Sequence, residues 1–232
     1  MTSRLVNKMK KGIIITIDGP SGAGKGTVAR ALAKRLGFIY LDTGAMYRAV
    51  ALHAKRKGTD LNNQKELTDL LFDVHISLQR DSNSDLRVIL NEEDITEEIR
   101  TPEISSLSSY IATKKIVRDV LKRMQKRIGK GGNIVAEGRD MGTYVFPDAD
   151  FKFYLDATLD RRARRRWLQL KESGIDEDIG KVRVEMEERD KQDMERSESP
   201  LHPAPNAVII DTTNLTVEEV VNRIIMKLEA SK

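Results

Sequence analysis

Residues 19–27 read GPSGAGKGT, and this glycine-rich stretch decides the fold of the chain. A short apolar run, residues 13–17, comes before it, and a helical pattern over residues 28–36 follows it. Strand, glycine loop and helix in this order are typical of a phosphate-binding loop, or P-loop. The glycines let backbone N–H groups turn toward phosphate oxygens, and the new helix directs its positive end at the same anion. The stretch therefore predicts a nucleoside triphosphate site.

Two side chains of the loop carry chemistry of their own. Lys25 can reach the terminal phosphates, and a hydroxyl at the start of the helix can hold Mg²⁺. The chain departs from the general pattern because Gly26 follows Lys25 and the hydroxyl comes one position later, at Thr27. The alternative is a glycine-rich turn that binds nothing. It does not explain why the glycines, the lysine, the preceding strand and the following helix all match the P-loop pattern. The loop alone does not indicate what is done with the nucleotide.

Composition excludes several other classes of protein. The 232 residues are 39% hydrophobic and 33% charged, as in a soluble globular protein. There is no Cys, which excludes disulfides and thiolate metal sites, and the three His are far apart in sequence, which disfavours a zinc site. No apolar run approaches the length of a membrane span. The basic segment 1–11 leads into no signal-peptide stretch, so we expect a cytoplasmic protein without a membrane partner.

The charge balance points to anionic ligands. The formal net charge is +4 and the isoelectric point about 9.2, which suits nucleotides and nucleic acids alike. Aromatic residues make up only 5% of the chain and form no repeat with basic residues, which disfavours binding of nucleic acid by stacking. We therefore expect small-molecule nucleotides as partners. Because no long hydrophobic seam is visible, we also expect a monomer.

The order of the predicted elements indicates an α/β fold with an insertion. Strand and helix patterns alternate over residues 12–59, which implies a parallel sheet covered by helices. Residues 74–79 and 86–90 alternate apolar and polar around the polar segment 81–85, which predicts an inserted antiparallel hairpin. Further predicted helices cover residues 116–128, 158–173 and 178–195, and predicted strands cover 134–136, 151–155 and 207–210. Thr101 is the expected N-cap of another helix, and Thr216 and Glu219 form a capping box that predicts the start of the C-terminal helix. The prolines within residues 197–206 predict a loop there.

A first group of polar residues, within 42–48, follows the second predicted strand. Ligands of open parallel sheets bind at the carboxyl ends of strands, so we expect Asp42, Thr43, Tyr47 and Arg48 to face the same crevice as the P-loop. Arg48 suits phosphate oxygens best. Helix capping by Asp42 or Thr43 and packing by Tyr47 are compatible with these roles.

A second group is the pair Arg139 and Asp140, which lies between two glycines after the strand 134–136. A structural ion pair at a tight turn is the alternative to a functional pair. A third group joins the arginine run 161–166 to the later Arg189, Asp193 and Arg196. The spacing of the last three residues predicts that they share one helical face.

Most charges of the third group are expected to be solvated, as charge runs usually are. Arginines near a triphosphate site are also what neutralises a phosphoryl group during transfer. The sequence therefore leaves both roles open for this group.

Taken together, these motifs resemble those of bacterial cytidylate kinases, within the nucleoside monophosphate kinases. The resemblance covers nearly the whole chain, from Gly12 to about Lys227. It implies a three-layer α/β P-loop kinase fold with a central parallel sheet, an inserted small β/α monophosphate-binding subdomain and a helical Arg-rich lid. The motifs that carry it are the P-loop and residues 41–48, 98–101, 137–143 and 188–190. The implied boundaries are a basic tail at 1–11, a single domain at 12–232, a monophosphate-binding region at about 43–112 and a lid at about 161–196.

The resemblance also implies roles at matching positions. The implied ATP-binding residues are Gly19, Pro20, Ser21, Gly22, Ala23, Gly24, Lys25, Gly26, Thr27 and Arg162, with Thr27 on Mg²⁺. The implied CMP-binding residues are Asp42, Thr43, Tyr47, Arg48, Ser109, Arg118, Arg139, Asp140, Arg189, Asp193 and Arg196. The implied catalytic residues are Lys25, Arg48, Arg139, Arg165 and Arg189. Glu137 stands where the family often has Asp, and Thr43 where it often has Ser; neither change removes a charge or hydroxyl.

The implied reaction is transfer of the γ-phosphoryl group of ATP, with Mg²⁺, to CMP or dCMP. A phosphomonoester has its second pKa near ~6, so the acceptor is already mostly a dianion at neutral pH and needs no general base. The motifs contain no His, in agreement with this chemistry. A carboxylate such as Asp140 and a cation such as Arg118 match the donor and acceptors of cytosine, which predicts CMP over UMP.

Three alternatives remain at this point. The chain can be another small-molecule P-loop kinase, such as adenylate or shikimate kinase. It can be a P-loop switch that hydrolyses nucleotide slowly, or an RNA-binding protein that uses the arginine run. None of the three explains the 42–48 group, the 139–140 pair and the Arg189 group together.

Overall fold

The computed structural model describes residues 12–80 and 86–230, which group into two compact units. The P-loop unit comprises the described residues up to Tyr40 and from Gly129 onward, and the second unit is Leu41–Ile128. The predicted basic segment 1–11 and the predicted connection 81–85 lie outside the described residues. None of the helices that the structure describes is long and apolar enough to cross a membrane.

The elements follow one another closely along the chain. The strands are β1 (Ile14–Asp18), β2 (Ile39–Asp42), β3 (Ile76–Arg80), β4 (Leu86–Leu90), β5 (Glu93–Asp94), β6 (Ile134–Gly138), β7 (Phe151–Asp156) and β8 (Val208–Asp211). The α-helices are α1 (Lys25–Leu36), α2 (Thr43–Lys57), α3 (Gln64–Phe72), α4 (Pro102–Ile111), α5 (Lys115–Gly129), α6 (Leu159–Glu172), α7 (Ile179–Glu195) and α8 (Val217–Ala230). A 3₁₀ turn covers Glu98–Arg100 and a π-helix covers Met141–Val145.

The central sheet confirms the predicted α/β fold. Among the described residues its strand order is β2-β6-β1-β7-β8, and β1 pairs in parallel with both β6 and β7. Ile15, Thr16 and Ile17 of β1 are fully buried, as expected for the middle strand of a sheet covered on both faces. The carboxyl ends of β1 and β6 meet where Asp18 lies opposite Gly138, while β7 continues past Tyr154, the partner of Asp18, to Asp156. This edge of the sheet is where the P-loop begins.

Helix α8 of the P-loop unit is capped by the residues that its sequence predicts. Thr216 and Glu219 form the predicted capping box at the start of α8: the Glu219 amide donates to Thr216 Oγ1 at 3.3 Å, and the Thr216 amide donates to Glu219 Oε2 at 2.7 Å. Residues 197–206 contain neither helix nor strand, which confirms the predicted loop.

The second unit confirms the predicted hairpin and adds elements to it. Strands β3 and β4 pair antiparallel, with Ile76 opposite Leu90, and β5 extends this small sheet. Helix α3 was not predicted, although Asn63 caps it by accepting hydrogen bonds from the amides of the two residues at positions 65 and 66. Thr101 caps α4 as predicted, since its hydroxyl accepts from the Ile104 amide.

Candidate active site

The P-loop itself is residues 19–24, between the end of β1 and the start of α1. Gly19 has φ 145°, and a Cβ there would lie 2.0 Å from the carbonyl oxygen of Leu155 on β7. Only glycine fits this position, because the sheet packs directly against the loop. The loop is therefore fixed where its amides and the amino end of α1 converge, an arrangement suited to an anion.

Lys25 is the first residue of α1, and its side chain turns back over the loop. Its Nζ donates to the Pro20 carbonyl at 2.7 Å, and only 6% of the residue is exposed. Burial, with a smaller effect of Arg139, lowers the pKa of Lys25 to about 7. A bound phosphate would favour the charged ammonium and oppose this shift. Lys25 is thus held over the loop by its burial and by its hydrogen bond to Pro20.

Two arginines of α6 contact the backbone of the P-loop. Arg162 Nη1 donates to the Ser21 carbonyl at 3.1 Å and pairs with buried Asp190 at 2.5 Å. Arg165 lies within 3.4 Å of the Gly22 carbonyl and donates to the backbone oxygen of Thr212 at 2.6 Å. The arginines of the run 161–166, most of which were predicted to be solvated, therefore differ in burial. Arg161 and Arg164 are exposed, Arg165 and Arg166 are half-buried, and Arg162 is buried.

A second charge cluster joins β6 to α7. Arg139 Nε donates to Asp193 Oδ2 at 2.7 Å, and Arg196 Nη1 donates to Asp193 Oδ1 at 3.3 Å. Burial alone would raise the pKa of Asp193, but Arg139, Arg196 and Arg189 together hold it below its usual value. The electrostatic influence of both Arg139 and Arg189 reaches Lys25. Glu137 and Asp193 act on Lys25 in the opposite sense, so the P-loop and this cluster form one site in which charges of both signs interact.

The predicted helical face at 189–196 needs one correction. Helix α7 ends at Glu195, and Arg196 is its extended C-cap, so it lies beyond the helix. It still reaches Asp193, while its Nε donates to the Ser199 carbonyl at 2.7 Å. The turn after the helix, and not helical periodicity, places this arginine.

The predicted residues of the second unit also cluster. Asp42 caps α2 by accepting from the Ala45 amide at 2.8 Å and pairs with Arg48 at 3.3 Å, so capping and charge pairing occur together. The Arg118 guanidinium lies 5.6 Å from the centre of the Tyr47 ring and donates to the Ala112 carbonyl at 3.0 Å. Thr43 is buried in the first turn of α2, and Ser109 is half-buried on α4.

Sequence reasoning missed Asp18, the last residue of β1. It is 2% exposed and accepts two backbone hydrogen bonds of 2.8 Å, from the Met141 and Gly142 amides. Burial raises the pKa of Asp18 to about 6. These bonds fasten the turn that follows Arg139 and buried Asp140 to the start of the P-loop. An acidic residue directly before the first glycine was the available signal.

Glu137 of β6 was noted only as a departure from the family pattern. It accepts a hydrogen bond from the Tyr40 hydroxyl at 3.1 Å and lies beside Gly26 at the start of α1. Thr27, the predicted Mg²⁺ hydroxyl, is exposed on the same turn. The carboxylate and the hydroxyl are therefore both at the amino end of α1.

These features define the class of the protein, a nucleotide-binding α/β protein with the P-loop kinase fold. The chain belongs to the cytidylate kinase family, whose profile matches residues 15–230.

Named relatives agree with this membership. The cytidylate kinase of Geobacter sulfurreducens is 48% identical over 214 residues, which cover 92% of this chain and 91% of that protein. The cytidylate kinase of Pelotomaculum thermopropionicum is 48% identical over 218 residues, which cover 94% and 96%. A crystal structure of an uncharacterized protein from Eubacterium ventriosum is similar with a TM-score of 0.51 at 12% identity, covering 94% of this chain and 98% of that one. This last likeness shows the fold alone.

Proposed function

We propose that the chain transfers the γ-phosphoryl group of MgATP to CMP or dCMP, giving CDP or dCDP and ADP for pyrimidine nucleotide supply. The observation that carries the proposal is the cation cluster around the P-loop, in a chain of the cytidylate kinase family. Arg162 contacts the loop backbone, and Arg139 and Arg189 act electrostatically on Lys25. Bringing two polyanions together costs Coulomb repulsion, which such a cluster offsets.

ATP is the donor nucleotide in this proposal, bound by residues 19–27 and Arg162. Mg²⁺ is usually bound by one or two protein groups together with substrate phosphates and water. The exposed Thr27 hydroxyl in the first turn of α1 would be such a group. When bound, Mg²⁺ neutralises charge on the β- and γ-phosphates.

The acceptor residues are proposed from the family pattern. Arg48 and Arg139 bind the CMP phosphate, and Asp140 and Arg118 with Ser109 read the cytosine. The remaining proposed contacts are Asp42, Thr43, Tyr47, Arg189, Asp193 and Arg196. Because the acceptor phosphate is already mostly a dianion, these residues position and neutralise it, and none has to remove a proton.

The proposal also keeps the expected organisation. Residues 12–232 act as one kinase domain, with the acceptor region at about 43–112 and a lid at about 161–196 that closes to exclude water as a competing acceptor. The enzyme works in the cytoplasm as a monomer, on small-molecule nucleotides.

An acceptor panel tests the proposal. ADP release from MgATP is measured with CMP, dCMP, UMP, AMP, GMP and shikimate, and without acceptor. We expect fast turnover with CMP and dCMP and little with the others. Fastest turnover with AMP or shikimate would identify a different kinase. Acceptor-independent hydrolysis would support a switch, and salt-sensitive RNA binding without kinase activity would support the RNA-binding alternative.

A further inference from the structure

Side chains from outside the P-loop hold the carbonyl oxygens of the loop. Four consecutive carbonyls, at positions 20–23, each accept a hydrogen bond from such a side chain. The donors are Lys25 Nζ to Pro20 at 2.7 Å, Arg162 Nη1 to Ser21 at 3.1 Å, Arg165 Nη1 to Gly22 at 3.4 Å and Thr212 Oγ1 to Ala23 at 3.0 Å. In a trans peptide the N–H points away from the C=O, so the amides of residues 21–24 are directed away from these donors. The donors thereby help to keep the amides available for an anion.

Thr212 holds the last of these carbonyls from a position that the sheet determines. It follows β8 directly and is 2% exposed, and its amide donates to the Asp156 carbonyl at the end of β7 at 2.7 Å. Its hydroxyl donates to the Ala23 carbonyl at 3.0 Å and accepts from Arg165 Nη1 at 3.1 Å. A hydroxyl has one donor and two acceptor positions, so Thr212 makes both contacts at once. One side chain therefore connects the P-loop to α6.

Thr212 also fixes the orientation of the Arg165 guanidinium. Its backbone oxygen accepts from Arg165 Nη2 at 2.6 Å, while its hydroxyl accepts from Nη1. Two N–H groups of the planar fork are thus held by one residue, which leaves the guanidinium little freedom to rotate. Because Thr212 is itself tied to the end of β7, the position of Arg165 is referred to the central sheet.

Arg165 keeps its positive charge without a direct ion pair. Its hydrogen bonds within the described part of the chain go to two backbone carbonyls and one hydroxyl. Burial, and then the charge of Arg161, lowers the pKa of Arg165, and Asp211 opposes this shift, but a guanidinium stays protonated in either case. Arg162, by contrast, is paired with buried Asp190. Of the two arginines that contact the loop, Arg165 is therefore the one whose charge remains for a phosphoryl group.

We propose that Thr212 is a positioning residue for phosphoryl transfer, because it holds the Arg165 guanidinium at one place beside the P-loop. The inference rests on the proposed function, in which Arg165 stabilises the charge of the transferring group. Arg165 belongs to a helix of the proposed lid, whereas Thr212 is anchored to the sheet. Misplacing a catalytic group by about 1 Å costs about 10²-fold in rate. Thr212 thus acts on the reaction through Arg165.

Steady-state kinetics of Thr212→Val and Thr212→Ser provide the first test. Valine keeps the branched shape and removes both hydrogen bonds of the hydroxyl, while serine keeps the hydroxyl. We expect Thr212→Val to lower kcat by about 10- to 100-fold with little change in KM for MgATP or CMP, the pattern of an interaction made only in the transition state. Thr212→Ser should retain most of the wild-type kcat. A higher KM with unchanged kcat, or equal losses in the two variants, would overturn the inference.

A double-mutant cycle distinguishes positioning of Arg165 from a structural role of Thr212. Arg165→Ala alone should lower kcat by about 10³-fold. If Thr212 acts through Arg165, adding Thr212→Val to Arg165→Ala lowers kcat no further. Losses that multiply in the double variant would contradict the inference. If circular dichroism shows that Thr212→Val is unfolded, Thr212→Ala replaces it in the cycle, since alanine leaves room for a water molecule at the Ala23 carbonyl.

Thr213→Val is the matched control. It removes the neighbouring hydroxyl, which accepts from the Thr158 amide at 3.1 Å and not from Arg165. Its kcat should stay close to that of the wild type, and a loss as large as that of Thr212→Val would count against the inference. All variants are assayed with the acceptor, water included, that the wild type uses fastest. An acceptor other than CMP or dCMP would refute the proposed function, and the cycle would still test the role of Thr212.

Discussion

Asp18→Asn perturbs the residue that fastens the Arg139–Asp140 turn to the P-loop. The rise of the Asp18 pKa from 3.8 to about 6 means that the ionised carboxylate costs about 3 kcal/mol in the folded state at pH 7. Asparagine removes that cost. It also turns one acceptor into a donor that faces a buried amide, which costs about 1–3 kcal/mol. The two terms nearly cancel, so we expect little change in the free energy of unfolding at pH 7.

The pH dependence of the free energy of unfolding distinguishes the cost of the ionised carboxylate from the cost of the unmatched amide donor. The pKa of Asp18 is higher in the folded state than in the unfolded state, so protonation of this carboxyl favours folding. Its contribution to the free energy of unfolding is fully present below pH 3.8 and is lost as the pH rises through about 6. At pH 5 the folded carboxyl is mostly protonated and the unfolded one mostly ionised. The wild type therefore regains about 1 kcal/mol between pH 7 and pH 5 that the asparagine variant does not.

Urea unfolding at pH 5, 6 and 7, followed by circular dichroism, measures this difference directly. Comparing wild type with Asp18→Asn at each pH removes the contribution of other titrating groups. We expect the variant to become about 1 kcal/mol less stable relative to wild type at pH 5 than at pH 7. Parallel pH profiles for the two proteins would refute the assigned role of the buried carboxyl. Turnover of the variant should also fall, because the turn after Arg139 loses an anchor.

Three other changes test separate parts of the structure. Arg189→Ala should lower turnover by about 10³-fold while the protein stays folded, because the proposed function places this arginine on the transferring phosphoryl group; unchanged turnover would show that its charge is only solvated. Arg162→Ala leaves Asp190 buried without this partner and should cost about 3–5 kcal/mol in urea unfolding, whereas exposed Arg164→Ala should cost under about 0.5 kcal/mol. Thr216→Ala removes the α8 cap and should cost about 1 kcal/mol by the same measurement.

Local patterns in the sequence predicted the parts of the fold that local physics determines. The glycine loop between β1 and α1, the hairpin of β3 and β4 and the capping box at Thr216 all depend on residues close together in the chain. The two-residue β5 is too short to leave a periodic signal. Helix α3 did leave one, in Asn63 and the buried Leu67, Leu70 and Leu71, and it was overlooked.

The electrostatics of the site could not be predicted from the sequence, because the interacting residues are distant from one another in the chain. Arg139 meets Asp193 across 54 positions, and Asp18 meets the Met141 amide across 123. Residue types alone left open whether the arginines of the run 161–166 are solvated or neutralise a phosphoryl group. They could not predict that Arg162 would be buried against Asp190 while Arg161 and Arg164 stay exposed.

Phosphorus NMR of the reaction mixture tests the central claim most directly. The wild-type protein is incubated with MgATP and CMP, and the phosphorus signals are followed with time. Transfer to the acceptor predicts that the signals of CDP and ADP grow together while no inorganic phosphate accumulates. Growth of inorganic phosphate at the rate of ADP, with CMP unchanged, would contradict phosphoryl transfer to CMP.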